Sequence, residues 1–356
     1  MARSWYPDSV PRALLVVLAV AVGASVLFGG LTSETVFGSY NPAWDGSTEL
    51  RDIATNTDGD VRIVGESGGY NVSTPSETVS FVLSPDSEYS EAEAASIERF
   101  VRQGGTLVVA EDVGPHSDEL LADIGADARF DGARLRDERF YGASPAMPVA
   151  TNPANGSYAT GVNALALNHG TAVAPRNATI LVNTSSYAYL DVNGNGALDD
   201  SETLREYPVV TREPLGEGSV VAVGDPSVFI NAMIDRRDNR QFARNLVTAH
   251  HVRLFDVSHL SALPPLVAAR FVLKESTVVQ LTVGLGLVVA VSYASVFGRL
   301  RRRVGGDESA ADRDPLVDGA SVADWVSARR PEWDRQRVRR VSEEISRQKQ
   351  NERKDD

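Results

Sequence analysis

Two long apolar runs stand near the two ends of the chain, and short apolar runs alternate with polar stretches between them. The first run covers residues 13–31 without a charged residue, and the second covers residues 277–297 with only Gln280 and small hydroxyl residues as polar positions. A bilayer core of about 30 Å is crossed by about 20 apolar helical residues. We therefore predict transmembrane helices at 13–31 and 277–297.

Arginines flank both runs on the side away from the middle of the chain, with Arg3 and Arg12 before the first. Positive residues favour cytoplasmic loops, so both termini, residues 1–12 and 298–356, are expected in the cytoplasm. Residues 32–276 are then expected outside a cell membrane that the chain crosses twice. A cleaved signal peptide is the alternative for the first run, although such peptides have only about 7–15 apolar residues.

The middle segment alternates between strand and helix patterns. Runs of β-branched residues predict strands, and apolar residues at i, i+3 and i+4 predict helices. Strands are predicted at 61–64, 78–83, 106–110, 161–167, 179–182, 207–211 and 219–223, and a hairpin turn at 215–218. Helices are predicted at 48–54, 117–124 and 239–249, and after Ser90. The strand–helix order from residue 78 onward predicts a parallel sheet with helices on both faces.

The helix after Ser90 has distinct start and stop signals. Ser90 and Glu93 match a capping box, in which each side chain accepts a hydrogen bond from the other residue's backbone N–H. Gly104 and Gly105 follow the helix, as glycines tolerate the left-handed conformation that ends helices.

The net charge and the composition exclude one class of partner and one class of chemistry. Residues 32–276 carry 34 Asp and Glu against 18 Lys and Arg, a net charge of −16. Such a domain repels nucleic acid phosphates, so nucleic acid is excluded as a partner. The basic residues are nearly all arginine, a composition similar to that of salt-loving archaea. The chain has no cysteine, which excludes disulfides and cysteine nucleophiles.

Two stretches carry a resemblance to a known family. They read YSEAEAASIERFVRQGGTLVVAED at 89–112 and GEGSVVAVGDPSVFINAMIDRRDNRQFARNLV at 216–247. Together with Ser84 and Pro85 they resemble uncharacterised, largely haloarchaeal membrane-anchored proteins whose soluble part is similar to class I glutamine amidotransferases. The resemblance implies an α/β class, with a flavodoxin-like sandwich around a central mostly parallel sheet, and it implies no particular activity.

Amidotransferases of this class use a cysteine on a tight turn after a strand. Here the strand at 106–110 leads to Glu111 and Asp112, so glutaminase chemistry is excluded and a pseudoenzyme is expected. A serine alternative comes from the G-x-S-x-G match around Ser67. The loop-like residues after Ser67 disfavour the helix that a nucleophile elbow needs.

The expected carboxyl ends of the strands carry polar side chains. Ligand clefts in α/β sheets lie at these ends. The residues are Ser84, Asp86, Glu111, Asp112 and Asp225. A site for a cation or an amine-bearing ligand and a set of solvated loop acids are both open interpretations.

Residues 191–202 match the calcium-binding loop of EF hands. Calcium prefers six to eight oxygen ligands, and Gly196 permits the sharp turn of such a loop. The expected ligands are Asp191, Asn193, Asn195, Ala197 through its carbonyl, Asp199 and Glu202. The residues before the loop read as strand, so a lone structural calcium ion is predicted, with an acidic turn-rich loop as the alternative.

The C-terminal segment predicts a polar linker over 305–319 and a helix after Pro331. Trp333, Val338 and Ile345 form a narrow apolar stripe on this helix. A solvated helix and a docking site for a cytoplasmic partner, over residues 320–350, are both open.

Together these patterns predict a membrane-anchored, non-enzymatic binding or scaffolding protein with a partner in the envelope or membrane. Two alternatives stay open. One is an envelope hydrolase that uses Ser67 or a carboxylate cluster, and the other is a solute-sensing domain that signals through the C-terminal tail.

Overall fold

A computed structural model describes residues 9–65, 67–154, 158–261, 263–269, 279–282, 285 and 319–352. The chain forms two compact units, Met1–Val272 and Leu273–Asp356. The first unit contains an eight-stranded sheet with helices on both faces. The second unit contains a pair of helices.

The first unit is built from short elements. Its α-helices include α1 (Ser9–Leu31), α2 (Thr48–Thr55), α3 (Glu91–Arg102), α4 (His116–Asp123) and α5 (Asn239–Thr248). The strands of its large sheet are β1 (Asp60–Val64), β2 (Thr78–Leu83), β3 (Thr106–Ala110), β7 (Asn152–Pro153), β10 (Thr179–Asn183), β12 (Pro208–Leu215), β13 (Gly218–Val223) and β14 (Val252–Asp256). Three separate pairs are β4 (Arg129–Phe130) with β9 (Val173–Ala174), β5 (Arg134–Asp137) with β11 (Ala188–Asp191), and β6 (Val149–Ala150) with β8 (Leu165–Ala166).

The large sheet is mixed, with the strand order β1-β14-β2-β3-β13-β12-β10-β7. The first five strands in this order are parallel, and the remaining three are joined by antiparallel pairings. Leu215 pairs with Gly218 at the end of the β12–β13 hairpin, where the sequence predicts a turn. The predicted α/β class therefore holds, with a mixed sheet in place of a mostly parallel one.

Both faces of the central strands are buried, because helices cover both. All residues of β2 and β3 are buried. Phe81 and Val108 lie in a core shared with α2 and α5, whereas Val82 and Leu107 lie in a core shared with α3 and α4. Strands that are buried on both sides read as continuous apolar runs, which is why the sequence places both strands at their observed bounds.

The start and stop signals of α3 are confirmed. The side chain of Ser90 accepts a hydrogen bond from the amide of Glu93, and Oε2 of Glu93 accepts one from the amide of Ser90 at 2.8 Å. Gly104 has a φ of +109°, a conformation that favours glycine. A Cβ on Gly105 would lie 2.4 Å from the ring of Phe100, so glycine also allows this close approach.

Two parts of the first unit differ from the predicted elements. The strand predicted at 161–167 is only β8, which pairs with β6 outside the large sheet. Strand β14 has no predicted counterpart, because Arg253 interrupts its apolar pattern. Arg253 is nevertheless buried, and its guanidinium donates hydrogen bonds to the carbonyls of Val247 and Asp58.

The prediction of two transmembrane helices is wrong for the part of the chain that the structure describes. No helix there combines the length and the apolar character that a bilayer crossing requires. Helix α1 (Ser9–Leu31) forms at the first apolar run, so the sequence predicts this helix correctly. The second run, 277–297, lies outside the described residues except at 279–282 and 285.

The predictions that rested on these helices are contradicted with them. One is the prediction that the membrane is a partner, bound through two spans. The others are the multi-pass location in a cell membrane, the cytoplasmic termini and the placement of residues 32–276 outside the cell. The physical reason is that the arginine pattern orients only helices that cross a bilayer.

The second unit contains helices α6 (Gly319–Arg329) and α7 (Arg335–Glu352). Val322 and Val326 of α6 pack against Val338 of α7 in a small apolar core, which Trp333 and Ile345 flank. The stripe that the sequence predicts therefore has an intramolecular partner in α6.

Candidate functional site

The carboxyl ends of the parallel strands lie along one edge of the sheet. Strands β2, β3 and β13 end at Leu83, Ala110 and Val223, which pair in register with one another. The side chains that follow them are those that the sequence singles out, with Ser84, Glu111 and Asp225 in the first or second position after each strand. The fold therefore brings the predicted polar residues to one edge.

The carboxylate of Glu111 accepts hydrogen bonds from neighbouring groups of the protein at this edge of the sheet. It is fully buried, and Oε1 accepts hydrogen bonds from the hydroxyl of Ser84 and from the amides of Asp112 and Gly114, at 3.0–3.1 Å. Oε2 accepts a hydrogen bond from the hydroxyl of Ser117 at 2.9 Å. Burial raises the pKa of Glu111, against these hydrogen bonds, which lower it. The carboxylate therefore holds the turn between β3 and α4 together.

Asp225 is the second buried carboxyl group of the edge. Its two oxygens accept hydrogen bonds from the amides of Asn168 and Ser227. Burial raises its pKa to about 7, and the charge of Asp112 adds to the rise. A carboxyl group with this pKa can exchange a proton near neutral pH, but both oxygens are already used in shaping the loops around it.

A third carboxyl group, Asp256 at the end of β14, was not predicted. Its Oδ2 accepts hydrogen bonds from the hydroxyls of Tyr70 and Tyr89, at 2.5 and 3.3 Å, and its Oδ1 accepts one from Ser258. Burial raises the pKa of Asp256 and, together with the nearby Asp256 charge, the pKa of each tyrosine. Ligand clefts lie at the carboxyl ends of parallel strands, so this argument leads to Asp256 only once β14 is known to be a parallel strand.

Ser67 does not lie on a nucleophile elbow. It begins a single 3-10 turn, Ser67–Tyr70, and a second such turn follows at Pro75–Glu77. The elbow of a G-x-S-x-G motif requires a strand-to-α-helix turn, which the described backbone does not have here. The side chain of Ser67 lies outside the described side chains.

The predicted calcium loop directly follows β11, whose last residue is Asp191. Oδ2 of Asp191 accepts a hydrogen bond from the amide of Gly196 at 2.9 Å, and Gly194 and Gly196 have φ values of +70° and +79°. Oδ1 of Asp191 is buried and has no hydrogen-bond partner. Nη1 of Arg136 lies 3.7 Å from Oδ2, beside this carboxylate.

The other end of the loop folds back onto its start. Glu202 accepts hydrogen bonds from the amides of Val192 and Asp199, at 3.0 and 3.1 Å. Oδ2 of Asp199 accepts hydrogen bonds from the side-chain amides of Asn193 and Asn195. Five of the six predicted ligand residues thus contact another part of the loop through their side chains, while Ala197 donates its amide to Asn195.

A different group of side chains in the described part of the chain has the spacing of metal ligands. Ligand atoms of Glu88, His116 and Glu119 lie within 4.8 Å of one another. Both glutamates are exposed, and Nδ1 of His116 lies 3.1 Å from Oε2 of Glu119. Exposed acidic groups at this spacing are common without an ion, and this group carries no assignment.

The fold and the edge define the class of protein. It is an α/β domain with a mixed sheet and buried carboxyl groups at the carboxyl ends of its parallel strands. The domain of unknown function DUF4350 matches residues 39–247, more than half of the chain, and the chain belongs to this family. No curated protein sequence matches significantly.

Solved structures similar to this chain have low sequence identity. The N-terminal domain of mmIFT52 is 13% identical with a TM-score of 0.37, over 46% of this chain and 72% of that chain. The β-galactosidase of Bacillus circulans sp. alkalophilus is 16% identical with a TM-score of 0.27, over 49% of this chain and 22% of that chain. The mannosidase Op5Man5 from Opitutaceae bacterium strain TAV5 is 16% identical with a TM-score of 0.26, over 48% of this chain and 24% of that chain. The chain therefore spans less than a quarter of each of these two enzymes.

Proposed function

We propose that residues 39–247 form a non-enzymatic binding or scaffolding domain that is similar to class I glutamine amidotransferases and is braced by calcium at residues 191–202. The acidic, arginine-rich composition supports an origin in a salt-adapted archaeon, where abundant carboxylates keep a protein surface hydrated.

The observation that carries the proposal is the internal use of Glu111. The resemblance to amidotransferases implies a nucleophile on the turn after a strand, and Glu111 stands directly after β3. Both of its oxygens accept hydrogen bonds from groups of the protein itself. A carboxylate in this state stabilises a turn and has little freedom to act on a substrate.

Turnover by the purified full chain tests the non-enzymatic part of the proposal. Glutamine, ester and peptide substrates should give no activity above that of a Ser67→Ala variant or a Glu111→Gln variant. Activity that either substitution abolishes, in a variant with an unchanged circular dichroism spectrum, would contradict the proposal and favour a hydrolase.

The calcium part of the proposal rests on Asp191. A buried carboxylate oxygen without a hydrogen-bond partner costs about 1–3 kcal/mol, and a bound cation would remove this cost. Oδ1 of Asp191 is such an oxygen, and it lies at the first position of the loop motif. A weak structural site is expected, since a single loop that follows a strand lacks the paired helices of a sensor.

Isothermal titration with calcium at high potassium chloride tests this part. Millimolar or tighter binding is expected for the wild type, and a large loss is expected for Glu202→Gln. The matched control is Asp200→Asn, because Asp200 is an exposed acid of the same loop outside the ligand positions. Equal binding by the Glu202→Gln and Asp200→Asn variants would rule out this ligand set.

A further inference from the structure

A cleft beside β6 and β8 has features of a binding site for a small ligand. Its volume is about 440 Å³, which lies within the usual range of about 300–1,000 Å³ for small-molecule sites. The apolar wall is formed by Met147, Val149, Leu167 and Met233. Val149, Leu167 and Met233 are buried, so this wall belongs to the fixed part of the fold.

The two sides of the cleft are tied together by one buried residue. The side-chain amide of Asn239 donates hydrogen bonds to the carbonyls of Ala166 and Met233, at 2.9 and 3.0 Å, and its Oδ1 accepts one from the amide of Ala166. Asn239 thereby fixes the distance between β8 and the segment before α5. The cleft is therefore formed in advance of any ligand, and such preorganisation lowers the entropic cost of binding.

The rim of the cleft has a charge opposite to that of the domain. Arg236 and Arg237 are exposed there, and their guanidinium groups have no hydrogen-bond or ion-pair partner among the described residues. The neighbouring Asp235 is already paired with Arg240 through both carboxylate oxygens. Two positive charges without an ion-pair partner among the described residues thus stand at an apolar cleft within a segment, 32–276, that has a net charge of −16.

The backbone at the rim is strained. Arg237 has a φ of +49°, a left-handed conformation that costs of order 1 kcal/mol for a residue with a side chain. A bridge to Leu165 holds its backbone in place. Strained residues of this kind cluster at binding sites, and Arg237 stands at the mouth of the cleft.

We propose that this cleft binds a small organic carboxylate with an apolar body. The apolar body would pack against the wall between Met147 and Met233, and the carboxylate would accept hydrogen bonds from Arg236 and Arg237. Arginine is suited to this task because its planar guanidinium donates two parallel hydrogen bonds to one carboxylate. Two sources provide this chemistry, namely a free aliphatic acid and the carboxyl terminus of a peptide that ends in an apolar residue.

The test is a titration of the isotope-labelled full chain, followed by NMR, with four probes. Hexanoate represents the free acid and N-acetylleucine represents the peptide terminus, with hexanamide and N-acetylleucine amide as their uncharged counterparts. Both acids should shift signals of the residues that line the cleft. Each amide should bind at least about tenfold more weakly than the corresponding acid. The acid that binds more tightly identifies the source.

Two variants locate the site. The double variant Arg236→Gln/Arg237→Gln should bind both acids about tenfold more weakly, whereas Arg99→Gln, at an exposed arginine on α3, should bind them as the wild type does. Ala143→Leu should fill the cleft and abolish binding with the arginines intact. Absence of shifts at millimolar acid, equal binding of acids and amides, or wild-type binding by the double variant would each overturn the proposal.

The outcome is independent of the function proposed above. Glu202→Gln, which removes a predicted calcium ligand, should leave carboxylate binding unchanged. Failure of calcium binding and failure of carboxylate binding are therefore distinguishable in the same preparation.

Discussion

The amide of Gly196 donates a hydrogen bond to Oδ2 of Asp191 at 2.9 Å, while Oδ1 of the same carboxylate is buried without a partner. This pairing curls the loop around its first residue and leaves one oxygen turned to the interior. Asp191 is the first residue of the calcium-loop motif, so the proposed calcium binding to the whole domain depends on the state of this carboxylate.

Calcium should raise the melting temperature of the protein through this loop. A ligand at 100 times its Kd stabilises the folded state by about 2.7 kcal/mol. Differential scanning calorimetry with and without calcium should show the rise for the wild type and not for Asp191→Asn. An equal rise for Asp191→Asn would place the ion elsewhere.

Arg136→Gln should tighten calcium binding severalfold. Nη1 of Arg136 lies 3.7 Å from Oδ2 of Asp191, and its positive charge competes with a cation for the carboxylate. Titration calorimetry at two salt concentrations would measure the change, which should shrink at high salt because ions screen the arginine. Weaker binding by Arg136→Gln would show that the arginine supports the loop.

Glu111→Ala should destabilise the fold by about 3 kcal/mol or more, since it leaves four donors around a buried site without their acceptor. Urea unfolding would measure this change. Glu111→Gln should cost less, because the amide oxygen retains part of the acceptor role. Similar losses for Glu111→Ala and Glu119→Ala, an exposed glutamate of α4, would contradict the bracing role of Glu111.

Asp225 should make stability depend on pH. Its pKa is raised from 3.8 to about 7 in the folded protein, so the folded state retains a proton that the unfolded chain has lost. This stabilisation is full below about pH 4 and is lost as the pH rises through about 7, a change of about 4 kcal/mol. Glu111 and Asp256 also have raised pKa values and contribute a slope of the same sign.

A comparison of the wild type with Asp225→Asn isolates the contribution of Asp225 to the pH dependence of stability. Free energies of unfolding in urea at about pH 4, 5.5 and 7.5 should show a smaller decline for the variant. The variant loses one amide hydrogen bond at every pH, so its curve should be lower in acid and flatter. Parallel curves would mean that Asp225 has an ordinary pKa.

Gly218→Ala should destabilise the junction of β13 with α3. A Cβ on Gly218 would lie 2.1 Å from the carbonyl oxygen of Gly105 and 2.2 Å from that of Val101. Such overlap costs about 1–3 kcal/mol or more. Gly142→Ala is the matched control, because its nearest atom would lie 3.7 Å away. Thermal unfolding of the two variants should differ clearly in midpoint.

The sequence by itself determined the elements whose signals are local. Strands β2 and β3 are continuous apolar runs because both of their faces are buried, and the capping box at Ser90 is complete within four residues. The sequence also placed Ser84, Glu111 and Asp225 at strand ends. The apolar run at 13–31 predicted a helix correctly and a membrane crossing wrongly, since hydropathy alone does not define what surrounds a helix.

Only the tertiary structure decided which of these groups meet and what they do. Tyr70 and Asp256 are 186 positions apart, and they form a hydrogen bond because β14 inserts between β1 and β2 in the sheet. The hydrogen bond between Ser84 and Glu111 and the cleft beside Arg237 likewise join separate segments of the chain. Local propensities carry no information about such contacts, because the contacts depend on which strand lies next to which.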